Sequence, residues 1–165
     1  MQPTTLYFKD DGKIPNSRFP ALLYQNAFSA RDDAGAAWLE QQFVAHDWTN
    51  TWRNGIYVYH HYHSTAHEVL GIYAGTARLQ LGGEQGQVVV VNPGDVIVIP
   101  AGVGHKNLES SHLGVVGAYA DGRNWDMNLG AEGERPQADD NIAALPVPAT
   151  DPLLGASAGL PEIWQ

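Results

Sequence analysis

Between Gly55 and about Tyr119 the chain breaks into short apolar runs: "GIYVYHHYH", "EVLGIYAG", "TARLQLGG", "QVVVVN", "DVIVIP" and "GVVGAY". The turns between them are marked by "GGEQG", "NPGD" and "PAGVG". Short runs rich in Val, Ile and Tyr, bounded by Gly, Pro, Asn and Asp, read as β-strands. Many such strands at regular spacing predict a sandwich or a closed barrel and argue against a βαβ fold. Val88 to Val91 is apolar at every position, which predicts a strand covered on both faces.

The flanks have a different texture. "FPALLYQNAF" predicts an edge strand, because Pro20 has no N–H to give a ladder. In "SARDDAGAAWLEQQFVAHDW" the residues Ala36, Leu39, Phe43 and Val44 recur at helical spacing, with Ser29 or Asp32 available as a cap. This helix is expected to cover one side or end of the strands. After Tyr119 the chain is rich in Pro, Gly and Asp, yet it carries Trp125, Ile142, Leu145, Leu153, Leu154 and Trp164. It reads as an extended arm packed on the strands or on a neighbouring subunit. The expected organisation is one domain: residues 1–54 as a strand and helix, 55–120 as the core, and 121–165 as the arm.

Composition narrows the function. The chain has 165 residues, 44% of them hydrophobic, and a formal charge of −9. An acidic chain with scattered single cations lacks the basic face that nucleic acid or an anionic membrane requires. With no cysteine, disulfides, thiolate metal sites and cysteine nucleophiles are excluded. The N-terminus lacks the apolar run of a signal peptide, and no later stretch is long enough to span a bilayer. These features predict a soluble, cytoplasmic protein.

Four of the seven histidines fall within "YHHYHSTAHEVLG". On a strand, residues two apart share a face about 7 Å apart, so His61 and His63 share one face, and His60 and Tyr62 the other. Glu68 opens the next strand and can return to the same point. Two imidazoles and a carboxylate suit a first-row divalent metal. His105, at the end of "GDVIVIPAGVGH", can join them if the sheet closes. Tyr57 and Tyr59 share the parity of His61, which makes them candidate pocket residues, Tyr59 as a catalytic acid; the alternative is aromatic packing of the wall. Arg53 and Lys106 are candidate anion anchors, and Trp125 and Asp126 candidates to close the pocket mouth. His46 and His112 are expected on the surface and His67 in a turn.

Residues 55–75 read G-x5-H-x-H-x4-E-x6-G (Gly55, His61, His63, Glu68, Gly75), and residues 94–105 read G-x5-P-x-G-x2-H (Gly94, Pro100, Gly102, His105). These segments resemble the two motifs of the cupin superfamily, as found in small single-domain bacterial members, and the flanks resemble a subfamily whose reaction is unassigned. The second motif departs at one position, where Glu109 stands in place of an asparagine. The resemblance implies an all-β, jelly-roll barrel with His61, His63, Glu68 and His105 on one metal ion.

Four protein ligands would fill a tetrahedral zinc site, whereas an octahedral ion keeps two positions open. This favours Mn or Fe, with Mn first because a hard carboxylate is retained, and Ni, Co or Zn as alternatives. The expected function is a metal-dependent enzyme of dioxygenase or oxidative decarboxylase type acting on a small oxygenated molecule, in a chain that dimerises as small cupins often do. A sugar isomerase or epimerase, and a binding cupin without turnover, are the alternatives, because the fold hosts many functions.

Overall fold

Two long strands organise the protein, whose computed structural model describes residues 1–165. In chain order the elements are β1 (Thr4–Leu6), β2 (Ala21–Tyr24), α1 (Asp32–Ala45), β3 (Trp48–Asn54), β4 (Glu68–Leu81), β5 (Gln87–Val91), β6 (Val96–Ile99), β7 (His105–Ala120), α2 (Gln137–Ala144) and α3 (Leu160–Ile163). The two runs "EVLGIYAG" and "TARLQLGG" are one strand, β4. Gly75 between them is a bulge at φ +69°, and a side chain there would collide with the carbonyls of Ser111 and His112. Likewise "GVVGAY" is only the end of β7. Its polar beginning, "HKNLESS", reads as a loop because its side chains are largely exposed.

The strands form one antiparallel sheet in the order β1-β2-β6-β4-β7-β3, with β5 also paired to β4. Along one edge β4 pairs first with β6 (Glu68–Gly71) and then with β5 (Ala77–Leu81); along the other it pairs with β7. Bulges between Ile72 and Ala74, Ala74 and Thr76, and Arg78 and Leu79 bend this ladder. Bulges sharpen strand curvature, so the sheet rolls until the two ends of β7 line one cavity: His105 and Tyr119 both face it.

Alternation along the strands sorts the core into two layers. Leu70, Ile72, Leu79, Ile97, Ile99 and Val115 fill the inside of the roll. Their neighbours Val69, Val96, Val98, Val116 and Ala118 point outward and pack against Leu39 and Phe43 of α1 and Leu160 and Trp164 of the arm. Glu68 shares the parity of Leu70, and Tyr119 that of Val115, so both face inward.

Several expectations need correction. β2 is an interior strand, paired with β1 and β6 and buried at all four positions; Pro20 precedes it and never enters the ladder. β5 is not covered on both faces: Val88 and Val90 are 42% and 53% exposed. Neither Ser29 nor Asp32 caps α1, whose first residue is Asp32 itself, with Arg31 at the cap position and no capping side-chain bond. The helix stops at Ala45 rather than running to Trp48, because Asp47 takes a left-handed turn (φ +64°) that Asp tolerates, and β3 follows. Of α1, Val44 lies on the exposed side. Finally, "GIYVYHHYH" is not a strand. Only the isolated bridges His61–His105 and Tyr62–Asn128 interrupt a loop from Gly55 to His67.

The arm packs on its own sheet. Trp164 stacks on Phe19 (5.2 Å, 9°) and donates Nε1–H to the Pro20 carbonyl at 2.9 Å. Trp48 donates to the Thr150 carbonyl at 3.0 Å, and the half-buried ring of His46 meets the Pro152 carbonyl at 2.8 Å. The Asp151 carboxylate accepts from the backbone N–H of Leu153, Leu154 and Leu160 and from the Tyr24 hydroxyl. No helix is long and apolar enough to cross a membrane.

Candidate metal centre

The loop Gly55–His67 is stitched between β7 and the arm. His61 exchanges backbone hydrogen bonds with His105, Gly102 N–H donates to the His63 carbonyl, and Asn107 N–H to that of Tyr57. From the arm, Asn128 exchanges a backbone pair with Tyr62, while the Asp126 carboxylate accepts from the backbone N–H of Ser64 (2.6 Å) and from its hydroxyl. The outer side of the loop is therefore covered, and Tyr62 is buried with its hydroxyl donating to Glu134 at 3.0 Å.

This stitching brings His61, His63 and His105 together, each at most 5% exposed, with one ring nitrogen of each within 4.8 Å of the others. In every ring Nδ1 faces a backbone carbonyl: Tyr59 for His61 (3.0 Å), Asp126 for His63 (2.5 Å) and Val103 for His105 (3.1 Å). A carbonyl only accepts, so each Nδ1 carries a proton and Nε2 is the nitrogen through which each ring can meet an ion. Such carbonyl contacts orient metal-binding histidines. Glu68 Oε1 lies 3.2 Å from His105 Nε2 and 3.5 Å from His63 Nε2.

Burial and the neighbouring imidazole of His105 hold the pKa of His61 down to about 3. Burial also opposes charge on His63, but the Glu68 carboxylate outweighs it and raises that pKa above the ordinary value. Burial would raise the pKa of Glu68; His63 and His105 instead hold it well below the carboxylate range. Despite its closeness to Oε1, the buried Nε2 of His105 makes no hydrogen bond of acceptable geometry. An orphaned buried nitrogen is costly. Three neutral imidazoles converging beside one carboxylate fit a divalent ion, which would satisfy it.

The cluster opens on a cavity of about 430 Å3, a usual size for a small-molecule site. Its wall includes Trp52, Ile56, Tyr57, Leu70, Tyr119 and Trp125. Tyr119 accepts a hydrogen bond from Trp52 Nε1 at 3.0 Å; burial and then the Glu68 carboxylate push its phenol pKa up. Trp125 lines the cavity edge-on to His63 (5.4 Å), whereas Asp126 lies outside the wall, with its carbonyl on His63 Nδ1 and its carboxylate on Ser64.

The other candidates lie differently. Tyr57 lines the cavity and stacks on Tyr59 (5.1 Å); Tyr59 is edge-on to His61 (5.8 Å) but 42% exposed and outside the cavity wall. Arg53 lines the cavity with its guanidinium clamped on Glu40, while Lys106 does not line it. His67 lies in the loop that leads into β4, and it is buried there, accepting the Ala101 N–H on Nδ1 at 2.9 Å. His60 is half-buried and His112 exposed. Glu109 is exposed beside Arg78 (3.7 Å), and the buried Asn107, two positions before it, donates from Nδ2 to the Ser110 hydroxyl at 2.9 Å. Trp52 and Tyr119 escaped the sequence reading. Tyr119 carried one usable signal, a phenol closing the apolar run "GVVGAY".

Residues 49–111 match the family model described as Cupin domain. Over 162 residues the chain is 45% identical to the uncharacterized protein YjlB of Bacillus subtilis (strain 168), covering 97% of this chain and 95% of that one. The chain belongs to the cupin superfamily. Among solved structures this cupin is similar to recombinant pro-11S globulin of pumpkin (28% identity, 49% of this chain and 23% of that chain, TM-score 0.40). It is also similar to a DUF861 family protein of Thermotoga maritima (24% identity, 50% and 86%, TM-score 0.33) and to a variant oxalate decarboxylase of Bacillus subtilis (16% identity, 70% and 29%, TM-score 0.40). It spans about a quarter of the globulin's length. The family match begins in β3 and ends within β7, so α1, Tyr119 and the whole arm of this cupin lie outside it.

Proposed function

We propose that this cupin is a metal-dependent enzyme of dioxygenase or oxidative decarboxylase type, acting on a small oxygenated molecule bound in the cavity. The observation that carries this reading is the shared orientation: three buried imidazoles each set Nδ1 against a backbone carbonyl, which leaves Nε2 as the nitrogen available to an ion. His61, His63, Glu68 and His105 would hold the ion; four protein donors on an octahedral ion leave two positions open, and the hard Glu68 carboxylate makes Mn2+ the favoured occupant. Such an ion supplies Lewis-acid polarisation of a bound oxygen and, when redox-active, electron transfer to it. Around it, Leu70, Ile56 and Trp125 exclude water, while Tyr119, held by Trp52, offers a hydroxyl within the wall.

The test is metal content followed by oxygen uptake with enediols, diols and small acids. Purified protein should carry close to one divalent ion per chain, and His61→Ala and His105→Ala should lose both the ion and any uptake. Tight ligand binding with the ion retained and no product would make the protein a binding module instead.

A further inference from the structure

We infer that the cavity selects a planar, oxygen-bearing chelator with a single negative charge, of enolate or catecholate type, over dicarboxylates and phosphorylated compounds; this deepens the proposed function and rests on its metal centre. The first argument is charge. Three neutral imidazoles and the Glu68 carboxylate around a divalent ion leave one positive charge in a buried place. The only other charged side chain in the cavity wall is Arg53. Its charge is offset by Glu40: Nε lies 3.1 Å from Glu40 Oε2 and Nη2 2.6 Å from Oε1. A ligand with one negative charge neutralises the centre. A second negative charge would be buried with no cation to meet it, which low-dielectric surroundings penalise.

The second argument is shape and polarity. Rings dominate the wall, with Tyr119 and Trp125 near parallel (6.1 Å, 21°) and Trp52 and Tyr57 beside them. Outside the ion-facing residues and Arg53, the polar side-chain groups of the wall are the Asn50 and Thr51 side chains, the Asn54 amide N–H2 and the Tyr57 and Tyr119 hydroxyls, fewer than the donors and acceptors of a polyhydroxylated sugar. A sugar would leave hydroxyls unpaired in such a wall. At roughly 30 Å3 for each water-sized group, the cavity takes a ligand of about a dozen non-hydrogen atoms, enough for one ring with substituents.

The experiment is calorimetric titration of the Mn2+-loaded full chain with acetylacetone, oxalate and glucose 6-phosphate. Each affinity is divided by that probe's affinity for free Mn2+ in the same buffer, so the ratio reports the cavity and not the ion. The acetylacetone ratio should exceed those of oxalate and glucose 6-phosphate at least tenfold. In Glu40→Ala, which frees the Arg53 guanidinium, the oxalate ratio should rise at least fivefold while that of acetylacetone stays within twofold. Metal bound normally with an oxalate or phosphate ratio equal to or above that of acetylacetone overturns this inference alone, as does an oxalate ratio unmoved in Glu40→Ala. A protein that takes up no Mn2+ overturns the metal centre beneath it, and this inference with it.

Discussion

The outer face of the sheet is finished in two opposite ways. Along Glu68–Gly71, β6, β2 and the end of β7, it is covered by α1 and the arm, so these strands are buried on both sides. Along Ala77–Leu81, β5 and the start of β7, it meets solvent, with Val88, Val90 and the Arg78–Glu109 pair exposed. Glu68 and Tyr119 both belong to the covered half, where packing from two sides fixes side-chain direction. The segments outside the family match thus form the outer support of the half of the sheet that presents the carboxylate to the cavity.

Removing that support should produce the largest effect. Asp151 is fully buried and ties the arm to β2 through three backbone N–H groups and Tyr24. Asp151→Ala orphans all four donors and should cost about 3–5 kcal/mol, read by chemical denaturation. A loss under about 1 kcal/mol would mean the arm is not part of the stable unit. Leu39→Ala comes next. Leu39 presses so closely on β4 that a Cβ added at Gly71 would lie 2.6 Å from its Cδ2, and its truncation should cost about 2–4 kcal/mol.

The covered half also contains a pH probe. His67 is buried against Trp164 (5.0 Å), and burial, with Arg123 nearby, holds its pKa down to about 4. Between about pH 6.5, its unfolded value, and pH 4 the unfolded chain binds more protons than the folded one. Stability from neutral His67 is therefore full above that window and is lost as pH falls through it. Metal-free protein should lose about 2 kcal/mol between pH 7.5 and pH 5 from this group. His61 acts in the same direction. His67→Asn should flatten the profile by that amount; an unchanged slope would place the titration elsewhere.

That His61, His63, Glu68 and His105 meet was legible because their spacing follows the two motifs, although the parity argument assumed a strand where a stitched loop does the same work. The helix was legible from Ala36, Leu39 and Phe43. Other features depended on partners distant in sequence. Gly75 looks like a turn until Ser111 and His112 press on it. Tyr119 becomes a cavity residue only after the sheet rolls. Trp52 was hidden because β3 follows the helix after only two residues, His46 and the left-handed Asp47, with no turn sequence to announce it.

The smallest predicted effect sharpens the comparison most. "QVVVV" in β5 and "VIVI" in β6 are equally apolar, and no pattern within either tells that one has a wet face. The difference comes from what lies outside: Val98 is fully buried beneath α1 and the arm, while Val90 is 53% exposed on a strand paired only with β4. The same substitution should therefore read the two environments. Val98→Thr buries an unpaired hydroxyl and should cost about 1–3 kcal/mol. Val90→Thr exchanges a methyl for a hydroxyl in water, with β-propensity retained, and should stay within about 0.5 kcal/mol. Denaturation of both variants at two protein concentrations separates the cases. Matching losses that grow on dilution would show that a second copy of the chain covers β5 in solution, leaving the sheet with no wet face there.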